Sequence, residues 1–153
     1  MGLILLILIL LLLSCQHEQS PNEPPIRIGI LHSLTGTMAK SEKPLVDILY
    51  MGVDEINAQG GLLGRQLETV VVDTQSDHDR VSVEAERLIV EEKVDVIFGC
   101  WTSSCRKAVK PVVEKYHHLL FYPVQYEGLE QSSNIVYTGS APNQQIIPGV
   151  IWA

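Results

Sequence analysis

The chain has 153 residues, with 18 Asp and Glu against 11 Lys and Arg and a formal net charge of −7. Charges of both signs are interspersed and form no basic stripe, which argues against nucleic acid as a partner and against electrostatic adsorption to an anionic membrane. The hydrophobic fraction of 46% is inflated by the N-terminal run, and a chain of this length nominally holds one domain.

Residues 1–15, MGLILLILILLLLSC, are an apolar run too short for a comfortable spanning helix and end in a small residue and a cysteine, which reads as an export signal. The tetrad Leu12-Leu13-Ser14-Cys15 resembles the lipobox of bacterial lipoproteins, in which the signal is removed and the cysteine becomes the lipid-bearing first residue. Cys15 is then the implied membrane anchor, although the n-region lacks any Lys or Arg. The alternative is a short uncleaved membrane anchor. Both place the bulk of the chain outside the cytoplasm, at the periplasmic or extracytoplasmic face. Residues 16–25, with Pro21, Pro24 and Pro25 and no apolar periodicity, suit a flexible tether.

From Ile26 onward strands and helices alternate. Residues 26–31 are a compact β-branched strand. Leu45, Ile48, Leu49, Val53 and Ile56 then recur at helical spacing until Gly60-Gly61 stop them. Residues 66–73 form the second strand. A helix beginning near Asp77 turns Val81, Ala85, Leu88 and Ile89 inward and Glu84, Glu86, Glu91 and Glu92 outward. Residues 94–99 are a third strand, and residues 106–116 a third helix with Ala108, Val109, Val112 and Val113 inward and a bend expected at Pro111. Strands follow at 119–122 and 135–138, and a helix opening at Pro142 looks cut off at Ala153, which marks the chain as a fragment. Parallel neighbours need helical crossovers, so the pattern predicts an α/β fold with a doubly wound parallel sheet.

In such a sheet, ligands sit outside the carboxyl ends of the strands. Trp101, Thr102 and Ser103 follow one predicted strand end and Tyr122 to Tyr126 the next. These are hydroxyls, amides and aromatics, a recognition surface more than a reaction centre. The first strand-to-helix turn, LHSLTGTMA, has only Gly36, too few glycines for a dinucleotide site, and no Walker-type loop is present. Asp73 is therefore read as a turn or cap residue. Asp73, Asp77 and Asp79 lack the glycine and distant glutamate of a calcium loop, and the adjacent His117-His118 read as strand-edge residues that do not reach one metal. No metal or cofactor is implied.

Cys100 precedes a helix start, where the helix dipole would lower a thiol pKa. An exported thiol amidase is thus the enzymatic alternative, but no His or acid is placed as its base, and apolar burial is the commoner fate. A Cys100–Cys105 disulfide is conceivable after export, yet with one cysteine before the first helical turn and one within it the pairing is not expected. Ser103 can cap the helix or, beside outward-pointing backbone N–H groups and the flat wall of Trp101, donate to a ligand. Tyr122, Gln125 and Tyr126 add a second wall and an amide that donates and accepts. The set suits a small, planar, neutral molecule with N–H donors and one carbonyl.

The segments IRIGILHSLTGTMA, INAQGGLLGRQLE, FGCWTSSCRKAVKPVVEK, LLFYPVQYEGLEQSSNIVYTG and APNQQIIP closely resemble the substrate-binding proteins of urea ABC transporters. Their broader relatives are type I periplasmic binding proteins for branched-chain amino acids and short-chain amides, two-lobed receptors that enclose the ligand between lobes. The resemblance implies residues 26–140 as a partial N-terminal lobe and residues 141–153 as the start of the second. It implies Trp101, Ser103, Tyr122, Val124 through its backbone, Gln125 and, less centrally, Tyr126 as ligand-binding residues, with Thr102 and Ser33 in capping and turn roles. It implies no catalysis, urea or a short-chain amide as ligand, and transporter permease subunits as partners. Branched-chain amino-acid or amide receptors of the same family are the alternative. Cys105 departs from the pattern, where a small or hydroxyl residue is more usual, and with most of the second lobe missing a chain of this extent should bind urea poorly.

Overall fold

The computed structural model describes residues 23–153. The expected signal, the Cys15 anchor and most of the tether therefore lie outside the described residues. Five strands, β1 (Ile26–His32), β2 (Leu67–Asp73), β3 (Val96–Gly99), β4 (Leu120–Tyr122) and β5 (Ile135–Tyr137), form one sheet in the order β2-β1-β3-β4-β5. Every pairing is parallel, with Ile28 opposite both Thr69 and Val96, Ile97 opposite Leu120, and Leu120 opposite Ile135. The helices are α1 (Ala39–Ala58), α2 (His78–Val90), α3 (Ser103–Lys115) and α4 (Pro142–Trp152). The expected doubly wound α/β sheet is the observed one.

Period-two alternation divides the sheet residues between two cores. Ile28, Ile30 and Leu67 pack with Val46 of α1 on one face, with Leu49 and Val53 alongside. Leu31, Val72 and Ile97 pack on the other against Val81, Ala85 and Leu88 of α2 and Val109 and Val113 of α3. Gly29 is what lets α2 approach β1, because a Cβ there would meet Val94 Cγ2 at 3.1 Å and Leu88 Cδ1 at 3.2 Å. Helix α2 starts as the sequence predicts, with Asp77 accepting from the Asp79 N–H at 2.9 Å.

Several boundaries differ from expectation for physical reasons. In α1 the buried positions are Glu42 and Val46, whereas Ile48 is 58% and Ile56 38% exposed. Ile48 lies two residues from Val46, about 200° around the helix and so on the opposite side. On the inner side, near the helix end, Asn57 stitches α1 to β2, accepting from the Leu67 N–H at 2.7 Å and donating to its carbonyl at 2.9 Å. Helix α3 begins at Ser103, not Arg106, because Thr102 caps it by accepting from the Cys105 N–H at 3.1 Å. His117 and His118 are not strand-edge residues: they lie in the turn before β4, where His117 takes φ +52° and His118 Nε2 meets the Val94 carbonyl at 2.7 Å. Among the described residues no helix is long and apolar enough to cross a membrane.

Candidate functional site

At the carboxyl end of the sheet, β3 and β4 stop side by side and release two turns onto the same edge. Trp101, Ser103, Tyr122, Val124, Gln125 and Tyr126, the six residues singled out from the sequence, line one cavity of about 300 Å³. Glu127 joins them, and Pro142, Gln145 and Ile146 of α4 form the opposite wall. A larger hollow of about 660 Å³ runs beside it along residues 137–144, but it shares only Tyr126 with that set. The smaller cavity, which gathers aromatic, hydroxyl, amide and carboxylate groups, is the better candidate on chemistry.

The two turns are tied to each other. Tyr122 is fully buried and donates its hydroxyl to the Trp101 carbonyl at 3.0 Å, so it serves as floor and brace, with its donor already used. Tyr126 stacks on Tyr137 with ring centroids 4.4 Å apart. The chain leaving β5 presses against the β4 exit at Gly139, where a Cβ would lie 2.0 Å from the Val124 carbonyl oxygen. Ser103, relieved of capping by Thr102, accepts from Arg106 Nη1 at 3.3 Å and turns its own O–H toward the Glu127 carboxyl.

Sequence reasoning missed what lies beneath the cavity. Arg106 is completely buried, with its guanidinium carbon 4.8 Å from the Tyr122 ring centroid and 5.6 Å from that of Tyr126. It donates to Glu130 at 2.8 Å and to Glu127 at 2.9 Å. Burial opposes its charge, but the hydrogen bonds to Glu130 and Glu127 outweigh that and raise its pKa above the ordinary guanidinium value. The Ser103 hydroxyl and the Arg106 guanidinium hold the Glu127 carboxyl down at about 2. At Glu130 burial pushes upward, yet Arg106 and Tyr137 prevail and lower it, while burial and the bond to Glu130 push the Tyr137 hydroxyl up. The sole sequence hint was the pair of glutamates three apart just after FYPVQY; nothing in the sequence links them to a residue more than twenty positions earlier.

The other candidates sort clearly. Cys100 and Cys105 form a disulfide, with Cys100 fully buried and Cys105 8% exposed. That corrects the expectation of unpaired cysteines and removes the thiol amidase, since Cys100 has no free thiol to act as a nucleophile. Thr102 caps, and Ser33 lies away from the cavity, its hydroxyl 2.8 Å from that of Thr74. Asp73 organises the β1–α1 turn, accepting from the backbone N–H groups of Leu34, Thr35 and Gln75 and from the Thr35 hydroxyl at 2.7 Å. Burial raises its pKa, but these four bonds together lower it below the usual carboxylate value. Among the described residues no group of three His, Cys, Asp or Glu is placed to hold a metal ion.

The family profile described as "Periplasmic binding protein domain" matches residues 26–153. The Leu/Ile/Val-binding protein homolog 7 of Brucella abortus (strain 2308) is 32% identical over 99 residues, 65% of this chain and 25% of that protein. Among solved structures, the branched-chain amino acid transporter substrate binding protein LivJ from Streptococcus pneumoniae, in complex with isoleucine, is 29% identical with a TM-score of 0.66, covering 69% of this chain and 30% of that one. A fatty acid ABC transporter substrate-binding protein from Thermomonospora curvata is 27% identical with a TM-score of 0.71, covering 86% and 33%. The chain spans about a quarter of the length of the curated relatives it matches.

Proposed function

This chain belongs to the periplasmic binding protein domain family, and from that membership we propose that it is part of the extracytoplasmic substrate-binding component of an ABC importer, with urea or a closely similar short-chain amide as ligand. The observation that carries the proposal is the composition of the 300 Å³ cavity. Gln125 can donate to a carbonyl and accept, Glu127 and the remaining lone pair of Ser103 can accept from N–H groups, Val124 contributes through its backbone, and Trp101 and Tyr126 limit thickness. A wrong ligand that leaves one of these groups unpaired forfeits about 1–3 kcal/mol per bond, roughly 10- to 100-fold in affinity. The receptor hands its ligand to the permease subunits and catalyses nothing itself. Residues 26–140 are its N-terminal lobe and residues 141–153 the start of the second.

Cys15 is proposed to carry the lipid that anchors the protein, after removal of residues 1–14 and with residues 16–25 as tether. The Cys100–Cys105 disulfide supports an oxidising compartment. Labelling with a tagged fatty acid tests the anchor: label should be taken up by the wild type and lost in Cys15→Ala.

A second reading, a branched-chain amino-acid receptor, is favoured by the relatives named for Leu/Ile/Val and isoleucine and by Glu127, a carboxylate able to meet an ammonium group. Against it, the guanidinium of Arg106 already serves Glu127 and Glu130 beneath the cavity, which disfavours it as the seat of a ligand carboxylate. Calorimetric titration of the purified protein with urea, acetamide and leucine separates the two. Weak saturable heat with urea or acetamide and none with leucine is expected, and the reverse pattern overturns the amide reading.

A further inference from the structure

The disulfide joins the residue after β3 to the first turn of α3 at a sequence separation of 5, and the ring it closes contains Trp101, Thr102, Ser103 and Ser104. Trp101 and Ser103 line the cavity. Both cysteines pack in the core that holds Ile97 and Val109, so the bridge pins the turn to the rigid part of the lobe. The turn's other restraints are hydrogen bonds, each modest beside a covalent bridge: the Cys105 N–H to the Thr102 hydroxyl at 3.1 Å, the Arg106 N–H to the Thr102 carbonyl at 3.1 Å, Arg106 Nη1 to the Ser103 hydroxyl at 3.3 Å, the Ser104 hydroxyl with the His78 ring at 3.2 Å, and the Tyr122 hydroxyl to the Trp101 carbonyl at 3.0 Å. Because the ring spans only this turn, opening it frees the turn and leaves the sheet's hydrogen-bonded ladder untouched.

We propose that the Cys100–Cys105 disulfide is the positioning element of the recognition turn, holding Trp101 and Ser103 in a ligand-ready arrangement, and that ligand affinity follows its redox state. The proposal rests on reading this cavity as the ligand site. Reduction by a dithiol balances simply: the two thiols of the reductant give up two electrons and two protons, the Sγ–Sγ bond breaks, Cys100 and Cys105 leave as thiols, and the reductant closes to a cyclic disulfide. Binding to the reduced form must then order two side chains that the oxidised form holds in place, which weakens affinity on the order of tenfold.

The test is backbone hydrogen exchange on the full chain, oxidised and after dithiol treatment, with thiol titration showing both bridge thiols released and with urea titrated calorimetrically into each form. Amides of residues 101–104 should exchange about tenfold faster after reduction while those of β1 and β3 keep their protection. Urea affinity should fall about tenfold, and Cys100→Ala/Cys105→Ala should match the reduced protein whether or not dithiol is present. Unchanged exchange at 101–104 with both thiols released overturns the proposal. So does faster exchange spread over the whole sheet, which would make the bridge a general staple, and so does a quickened turn with undiminished urea affinity. If urea binds neither form while exchange quickens only at 101–104, the turn-positioning role stands and the urea reading is what fails.

Discussion

Replacing Arg106 by Leu removes the one cation under the cavity floor that bridges Glu127 and Glu130. The Arg106 side chain is 1% exposed, Glu130 17% and Glu127 58%, so the two broken pairs are unequal. Glu127 rehydrates where it stands, and its pair contributes little, as surface pairs do. Glu130 is left largely out of water with a charge that the Tyr137 hydroxyl, at 2.7 Å, and the more distant Lys110 still answer. Losing a charged hydrogen bond there is worth about 1.5–3 kcal/mol, and the cation over the Tyr122 and Tyr126 rings adds about 1 kcal/mol. The expected destabilisation is therefore about 3 kcal/mol, the lower end of the range for removing one partner of a buried pair. Thermal unfolding followed by circular dichroism is the assay of choice, since urea is the proposed ligand and cannot serve as a neutral denaturant. For a chain of this size the Tm should drop by about 10 °C. Adding Glu130→Leu should recover part of the loss, because it removes the stranded charge. A drop of only 2–3 °C in Arg106→Leu, or no recovery in the double variant, would refute the view that Arg106 is a buried structural cation.

Three further outcomes are expected. The Glu127 carboxyl is depressed from 4.5 to about 2 in the folded chain, so the stability it contributes is fully present above pH 4.5 and is lost as the pH falls through about 2; acid-unfolding curves of Glu127→Gln should be flatter in that window, by a small amount given the exposure of the group. Gly139→Ala drives a methyl to within 2.0 Å of the Val124 oxygen, where only backbone can yield, and should cost about 1–3 kcal/mol in thermal melts together with a clear loss of urea affinity by calorimetry. Tyr122→Phe strips the donor from the Trp101 carbonyl and should cost about 1 kcal/mol, with faster hydrogen exchange in the β3–α3 turn as the second readout.

Much of this fold is legible in the sequence wherever side-chain period and chain stops agree. The stripe Val81, Ala85 and Leu88 behind an Asp77 cap names α2 without ambiguity, and the β-branched runs place β1 and β2 to within a residue. Five of the six cavity residues follow from two strand ends that share one edge of a parallel sheet, and Val124 joins them through the family resemblance. What escaped were pairings between distant positions. His32 extends β1 beyond the apolar run because Glu42, also buried, meets its Nδ1 at 2.8 Å, an arrangement no hydropathy pattern encodes. Ser103 was a plausible cap until Thr102 was seen to do that work, and the Cys100–Cys105 bridge depended on Cα atoms 5.8 Å apart, a distance that spacing alone does not set. Arg106, Glu127 and Glu130 carry no shared sequence signal; only the fold gathers the two carboxylates around a buried guanidinium.

The strand order has a consequence for how the chain is made. Among the described strands β1 is synthesised earliest, yet it lies between β2 and β3, so its second edge stays open until Val96–Gly99 exist to pair with it. β4 and β5 each pair with the strand that directly precedes them in the chain, and loop-closure entropy favours these nearer pairings over that of β1 with β3. The half that carries the cavity can therefore assemble from its own nearby pieces, whereas the N-terminal strand must wait for partners made long after it, with one row of its backbone N–H and C=O groups unmatched in the meantime.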